Sequence, residues 1–194
     1  MTALAAALAG FLLAAQLAST SAPLASGTWL ARPRPVIDFH LTDSRGRPFS
    51  RADLLGRPSL VYFGFTHCPD ECPDTLAALA RMMKEGGLPR LRVLFVTVDP
   101  RRDTPPVLAR FLAQFDPAFI GLTGGRRQLR RLAASLGIAY TRIDVPGDDT
   151  FEHSTALFLF DAGARELAVF TAPFRIGRLR ETLRRAAPRL RAAA

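Results

Sequence analysis

The chain has 194 residues, 48% of them hydrophobic and 22% charged. That is enough for one well-cored domain and too little for two, and it excludes a disordered or fibrous chain. The formal net charge of +9 is nearly all arginine, with Lys84 the only lysine, and it gathers at 126–131 and 175–191 without interleaved exposed aromatics, a pattern that argues for a solvated basic face, with attraction to anionic lipid or an acidic protein patch second, and no nucleic acid.

In chain order, Ala3 to Ala18 is apolar apart from Gly10 and Gln16, and no charged side chain precedes Arg32. A signal peptide's apolar region runs to about 15 residues and a membrane-spanning helix needs about 20. The run falls between the two, without a clean A-x-A site or a basic start. Residues 1–25 therefore read as a signal peptide or membrane anchor, and 26–35, with Gly27, Pro33 and Pro35, as a linker. No cysteine follows the run, which argues against a lipoprotein.

From Val36 to Ser50 the sequence predicts two short strands around a turn at Ser44–Arg47, and then a brief helical turn stopped by Gly56 and Pro58. "SLVYFGF" (Ser59 to Phe65) is the continuous apolar, β-branched and aromatic run of a strand buried on both faces. A helix follows, with Pro73 suited to its first position, Asp74 near its positive end, and Leu76, Leu79 and Met83 on one face. Leu91 to Asp99 is a second buried strand. Thr104 reads as the N-cap of a helix over "PPVLARFLAQF". "AFIGLTG" is a strand leading to a helix over 126–136, and "IAYTRIDV", "STALFLFD" and "RELAVFT" are strands, the last two a hairpin. An amphipathic helix over 175–187 closes a domain spanning 36–187, and 188–194 reads as a basic tail. Strands alternating with helices, then a hairpin and a helix, argue for an α/β fold with helices on both faces of a central sheet.

Both cysteines of the chain, Cys68 and Cys72, lie in "YFGFTHCPDECPDTL", between the first buried strand and its helix. A cysteine pair at the strand-to-helix turn of a βαβ unit is the thioredoxin-like arrangement. Open α/β sheets bind ligands at this mouth, and a helix N-terminus favours thiolate over thiol. The C-x-x-x-C spacing is one residue longer than the usual redox C-x-x-C. It loosens the loop for a soft metal without forbidding a disulfide. Thiolates select copper(I), zinc or iron–sulfur chemistry, but a structural zinc site wants four protein ligands, whereas copper(I) accepts two or three. A copper site would need at most one more donor. Of the three histidines, His67 is adjacent to Cys68, which makes joint chelation awkward, and His40 sits in the N-terminal hairpin. His153 immediately precedes a buried strand, and in a thioredoxin-like fold the loop entering that strand faces the cysteine turn. That loop usually carries a proline in thioredoxin-like reductases, and here it reads Glu152-His153-Ser154.

The segments "YFGFTHCPDECPDTL", "FVTVDPRRDTPPVLARFLAQF", "FIGLTG" and "EHSTALFLFDAGA" resemble, in order, those of the Sco/SenC copper-delivery family. The resemblance covers most of Pro35 to about Arg185. It implies a thioredoxin-like fold, usually with one N-terminal membrane anchor, and a role in maturing the dinuclear copper centre of cytochrome c oxidase as copper donor, thiol reductant or both. By that resemblance Cys68, Cys72 and His153 are the ligands of copper(I) or copper(II), and Asp99 and Asp103 match acidic signature positions. The plain alternative for Asp103 is local capping beside Thr104. Glu152 stands where the family often has an aspartate. The implied partners are the copper-accepting oxidase subunit and another periplasmic copper chaperone or thiol reductant. The implied location is the bacterial inner membrane with the domain facing the periplasm, or the periplasm itself if the N-terminus is cleaved.

Three rivals stand beside copper delivery. A thiol–disulfide oxidoreductase would use Cys68 and Cys72 as a catalytic redox pair and would not need His153. An inert module stapled by a disulfide is disfavoured, because so small a loop gains little from closure. A thiol peroxidase would want T-x-x-C, and Thr66 is two residues before Cys68.

Overall fold

The computed structural model describes residues 27–88, 90–143 and 150–191. The segment read as signal or anchor, 1–25, lies outside them. Thr28–Pro35 is not a linker but a strand, β1. Its two prolines are tolerated because it lies at the sheet edge, where a missing N–H breaks no ladder. Trp29 meets Phe170 edge-on at 6.3 Å, with the Arg189 guanidinium 5.7 Å from its ring centre, and Arg34 pairs with buried Glu166 at 2.6 Å.

Next come β2 (His40–Asp43) and β3 (Pro48–Ser50), the expected hairpin, and a single 3-10 turn at Arg51–Leu54. β4 (Ser59–Gly64) is buried at every position. Helix α1 spans Glu71–Lys84, β5 Arg92–Thr97, α2 Pro105–Ala113 behind Thr104, β6 Ile120–Thr123 and α3 Arg126–Ser135. β7 (Tyr140–Ile143) and β8 (Thr150–His153) form a separate antiparallel hairpin with Tyr140 opposite His153. The sequence presents β8 as a loop, and pairing with β7 makes it a strand. β9 (Ala156–Phe160) and β10 (Arg165–Thr171) form the expected second hairpin, followed by α4 (Ile176–Arg185) and the short α5 (Ala187–Leu190). Residues read as a basic tail thus pack: Leu190 is buried and its carbonyl accepts the Ala162 N–H.

Among the described residues the main sheet runs β1-β10-β9-β4-β5-β6-β2-β3. β4, β5 and β6 are parallel, and every other pairing is antiparallel. Strand alternation divides the core. Leu60, Tyr62, Val93, Phe95, Leu157 and Leu159 face α1, α2 and α4. Val61, Phe63, Leu94, Val96, Phe158 and Phe160 face α3 and the N-terminal hairpin. The sheet is therefore mixed and covered on both faces. On α1 the most buried methionine is Met82, with Met83 partly buried beside it. Among the described residues no helix is long and apolar enough to cross a membrane.

Candidate metal and thiol site

The site forms where β4 ends. Phe65 is still buried, then Thr66 to Asp70 turn the chain into α1. The helix begins two residues earlier than the proline suggested, so Cys72 lies in its first turn and Pro73 is its third residue. Proline is harmless there, because the first N–H groups of a helix have no intrahelical partner. The first backbone bond of the helix is Asp74 N–H to the Asp70 carbonyl.

Cys72 is fully buried among the core residues of the α1 face, and Cys68 is half-buried between the two core halves. Both thiols are free. The Cys72 backbone N–H donates to the Cys68 sulfur at 3.4 Å, and the buried Tyr62 hydroxyl donates to the Cys72 sulfur at 3.6 Å. Gly64 makes room for that sulfur: a Cβ there would stand 2.8 Å from Cys72 Sγ. A glycine inside an apolar strand run signals close approach, and this one was readable in the sequence.

His153 arrives from β8, and its Nε2 lies 3.8 Å from Cys72 Sγ. The rings of Tyr62 and Phe65 hold it edge-on at 6.4 and 6.0 Å. Metal–imidazole and metal–thiolate bonds of about 2.0 and 2.3 Å, at an angle near 120°, put the two donors about 3.7 Å apart. His153 and Cys72 therefore fit one ion with almost no movement. His153 also favours the charged form of the Cys68 sulfur. Among the described residues no group of three or more His, Cys, Asp or Glu closes into a ready metal cage.

The two sulfurs differ in charge. The hydrogen bond from Cys72 holds the Cys68 thiol far below the usual range, against the opposing effect of burial, and His153 and the N–H groups of Cys72 and Asp70 add to it. Cys72 is pushed up, first by sharing its proton with the Cys68 thiolate and then by burial. The pair is thus an accessible thiolate beside a buried thiol.

Asp103 does not cap α2 through Thr104. It is fully buried, and its carboxylate accepts the Thr66 N–H at 3.1 Å, the Thr66 hydroxyl at 2.6 Å and the Thr97 hydroxyl at 2.5 Å. Burial raises its pKa and these hydrogen bonds oppose the rise. It ties the cysteine loop to the end of β5. Because Thr66 gives its proton to Asp103, its oxygen faces His67 Nδ1, 3.0 Å away, as an acceptor. Asp99, also buried, pairs with Arg102 rather than with the thiols. His40 is on β2, beyond β5 and β6 from the site strand.

The SCO1/SenC family model matches residues 30–187. A mitochondrial Sco2 homologue of cattle is 43% identical over 128 residues, 63% of this chain and 48% of the relative. A protein of Stutzerimonas stutzeri described as a putative copper-binding protein is 36% identical over 160 residues, 79% of this chain and 78% of the relative. The chain spans about half the length of the cattle and human relatives it matches. Among solved structures, yeast Sco1 with copper bound superposes with a TM-score of 0.73 at 30% identity, covering 80% of this chain and 90% of that one. Copper-bound ScoI of Arabidopsis thaliana gives 0.74 at 28% identity, covering 79% and 98%. The mixed, helix-flanked sheet is thus the thioredoxin-like fold of those structures.

Proposed function

The chain belongs to the SCO1/SenC family, and from that premise we propose that it binds copper through Cys68, Cys72 and His153 and delivers it to the dinuclear copper centre of cytochrome c oxidase during assembly. The observation that carries this is the 3.8 Å approach of His153 Nε2 to the Cys72 sulfur, across 81 residues of sequence. Disulfide exchange does not require that imidazole. Copper is the cargo here. Cys68, half-exposed and ionised, is the sulfur that meets it first. Cys72 gives up its proton as the ion arrives, and His153 completes a low-coordinate site. A site of three protein donors with Cys68 half-exposed at its mouth suits transfer, because an acceptor thiolate can displace them one at a time. Copper delivery requires both cysteines reduced. Oxidation of the Cys68 thiolate and Cys72 thiol to a disulfide releases two electrons and one proton and removes both sulfur donors, so an oxidising compartment such as the periplasm would require a reductant.

The asymmetric thiols favour a second reading, a thiol–disulfide reductase. An activated outer thiolate would attack a partner's disulfide, and the buried Cys72 thiol would then resolve the mixed disulfide. Copper stoichiometry on the reduced protein, beside His153→Ala, separates the two. Delivery requires one copper per chain, held at least about tenfold less tightly by the variant, the loss of one charge-assisted contact. No tight copper in the reduced protein would sink delivery and leave the reductase.

A further inference from the structure

Beside the thiol site is a cleft of about 270 Å³ that neither reading uses. It lies between the turn from β5 to α2, the first turns of α3 and the β7–β8 hairpin. Five arginines line it, Arg101, Arg102, Arg126, Arg130 and Arg142, against a single carboxylate among the described residues of its lining, Asp99, which Arg102 already holds. Arg126 and Arg130 are four residues apart and share one face of α3, while Arg127 and Arg131 do not line the cleft. The apolar wall is Tyr140 and Phe151, whose rings lie 6.4 Å apart. Phe151 packs at 5.5 Å on Phe65, the same ring that meets His153 at 6.0 Å. The cleft and the thiol site thus share a wall.

We propose that this cleft is a docking site for an acidic segment of a protein partner. Its carboxylates are taken by Arg101, Arg126 and Arg130, and its neighbouring residues then reach Cys68 and His153. Guanidinium forks match carboxylates in pairs of hydrogen bonds. Arg101 comes from the turn between β5 and α2, and Arg126 and Arg130 from α3, so the three span more than one small anion would engage and suit a chain carrying several carboxylates. Arg101, Arg126 and Arg130 are all exposed. The net charge of +9 would speed the encounter with such a partner at low salt. The partner's purpose rests on the copper-delivery reading; the docking does not.

The test is fluorescence anisotropy on the reduced full chain with a labelled peptide alternating glutamate and serine, beside its glutamine counterpart and inorganic phosphate as competitor. The glutamate peptide is expected to bind, to weaken at least about tenfold between low and physiological salt, and to weaken at least about tenfold in Arg126→Glu/Arg130→Glu. Arg178→Glu/Arg185→Glu, on α4, is expected to leave binding within about twofold. Equal loss in both charge reversals would mean general attraction to a basic protein and would overturn the site. Displacement by phosphate at equal concentration would assign the cleft to small anions and overturn it too. Asp144, Asp148 and Asp149, in the segment joining β7 and β8, are the chain's own nearby carboxylates in sequence. If the peptide binds only when all three are changed to Asn, the cleft serves the chain itself and the proposal fails. Copper stoichiometry on the same samples keeps the readings apart. Peptide binding without copper would leave the cleft standing and sink delivery, and copper loss in the α3 variant would make its arginines supports of the metal site and overturn docking.

Discussion

Gly64 and Cys72 are in a relationship that a single methyl group would break. The Cβ of an alanine at 64 would lie 2.8 Å from Cys72 Sγ and 2.8 Å from Phe95 Cε2. Cys72 is fully buried and Phe95 belongs to the same core, so neither can yield cheaply. Gly64→Ala is expected to cost about 2 kcal/mol of stability, within the range for overpacked cores. It should also move the sulfur away from His153. Thermal unfolding reads the first effect, and competition for copper(I) against a chelator reads the second. Gly125→Ala is the control. Its Cβ would meet nothing within 4 Å, and its φ of −62° suits any residue, so stability should stay within about 0.5 kcal/mol. If Gly64→Ala melts and binds copper like the control, the sulfur is not confined as the packing implies.

Asp103 acts on the thiols through Thr66. Asp103→Asn keeps the shape but turns an acceptor of three hydrogen bonds into an amide that faces donors with its own NH2. A loss of about 1–3 kcal/mol is expected, the cost of leaving a buried donor unsatisfied. Stability alone would not separate positioning from general packing. The discriminating measurement is the alkylation rate of Cys68 in the folded variant, which should change because the Thr66–Cys68 turn is released. An unchanged rate with lowered stability would reduce Asp103 to a core residue. Thr97→Val, which removes one of the three donors and leaves Thr66 tied, should affect the rate less.

The charge asymmetry of the cysteines sets a pH dependence. Cys68 is held at about 4, against an ordinary value near 9. The folded reduced protein therefore binds fewer protons at this sulfur than the unfolded chain between those limits. Its contribution to stability is full above the unfolded value and is lost as pH falls toward 4. Cys72 is raised, so its contribution is full below the unfolded thiol value and is lost as pH rises above it. Reduced protein should therefore gain stability from mildly acid to mildly alkaline pH, and Cys68→Ser should flatten that slope. Alkylation of Cys68 should likewise be nearly constant from about pH 6 to 9, where an ordinary thiol speeds about tenfold per unit until it ionises. A rate that climbs tenfold per unit through that window would show that Cys68 is an ordinary thiol.

The central strands, the cysteine turn and the place of His153 were legible in the sequence for one reason: each is fixed by local pattern plus simple topology. Ser59 to Phe65 could only be a buried strand, and the cysteines follow it directly. What the sequence concealed depends on distant contacts. Thr28–Pro35 looks like linker because its prolines and arginines carry no strand pattern, and only the edge of β10 makes it a strand. Asp103 looks like a local cap, yet its partner Thr66 is 37 residues away. Thr150–His153 is too short to show alternation, and it becomes a strand by pairing with Tyr140–Ile143. Leu190 looked like part of a charged tail because its burial depends on the Asp161–Ala164 turn beneath it.

Tyr62 offers the sharpest test of which sulfur chemistry the site is built for. Its hydroxyl is buried, donates to Cys72 at 3.6 Å, and has its pKa raised by burial, so it stays a donor throughout the working range. A phenol donor stabilises Cys72 more as a copper-bound thiolate than as a neutral thiol, because hydrogen bonds to charged groups are the stronger ones. Tyr62→Phe should therefore weaken copper(I) binding by about tenfold, close to 1.4 kcal/mol. Cys68 alkylation at neutral pH should change little, because in the copper-free protein Cys72 holds its proton. A built disulfide reductase predicts the opposite pattern. Loss of the hydroxyl would disturb resolution of the mixed disulfide by Cys72 and leave metal affinity untouched. Measuring both on one variant places Tyr62, and with it the buried half of the site, in service of the metal or of the disulfide.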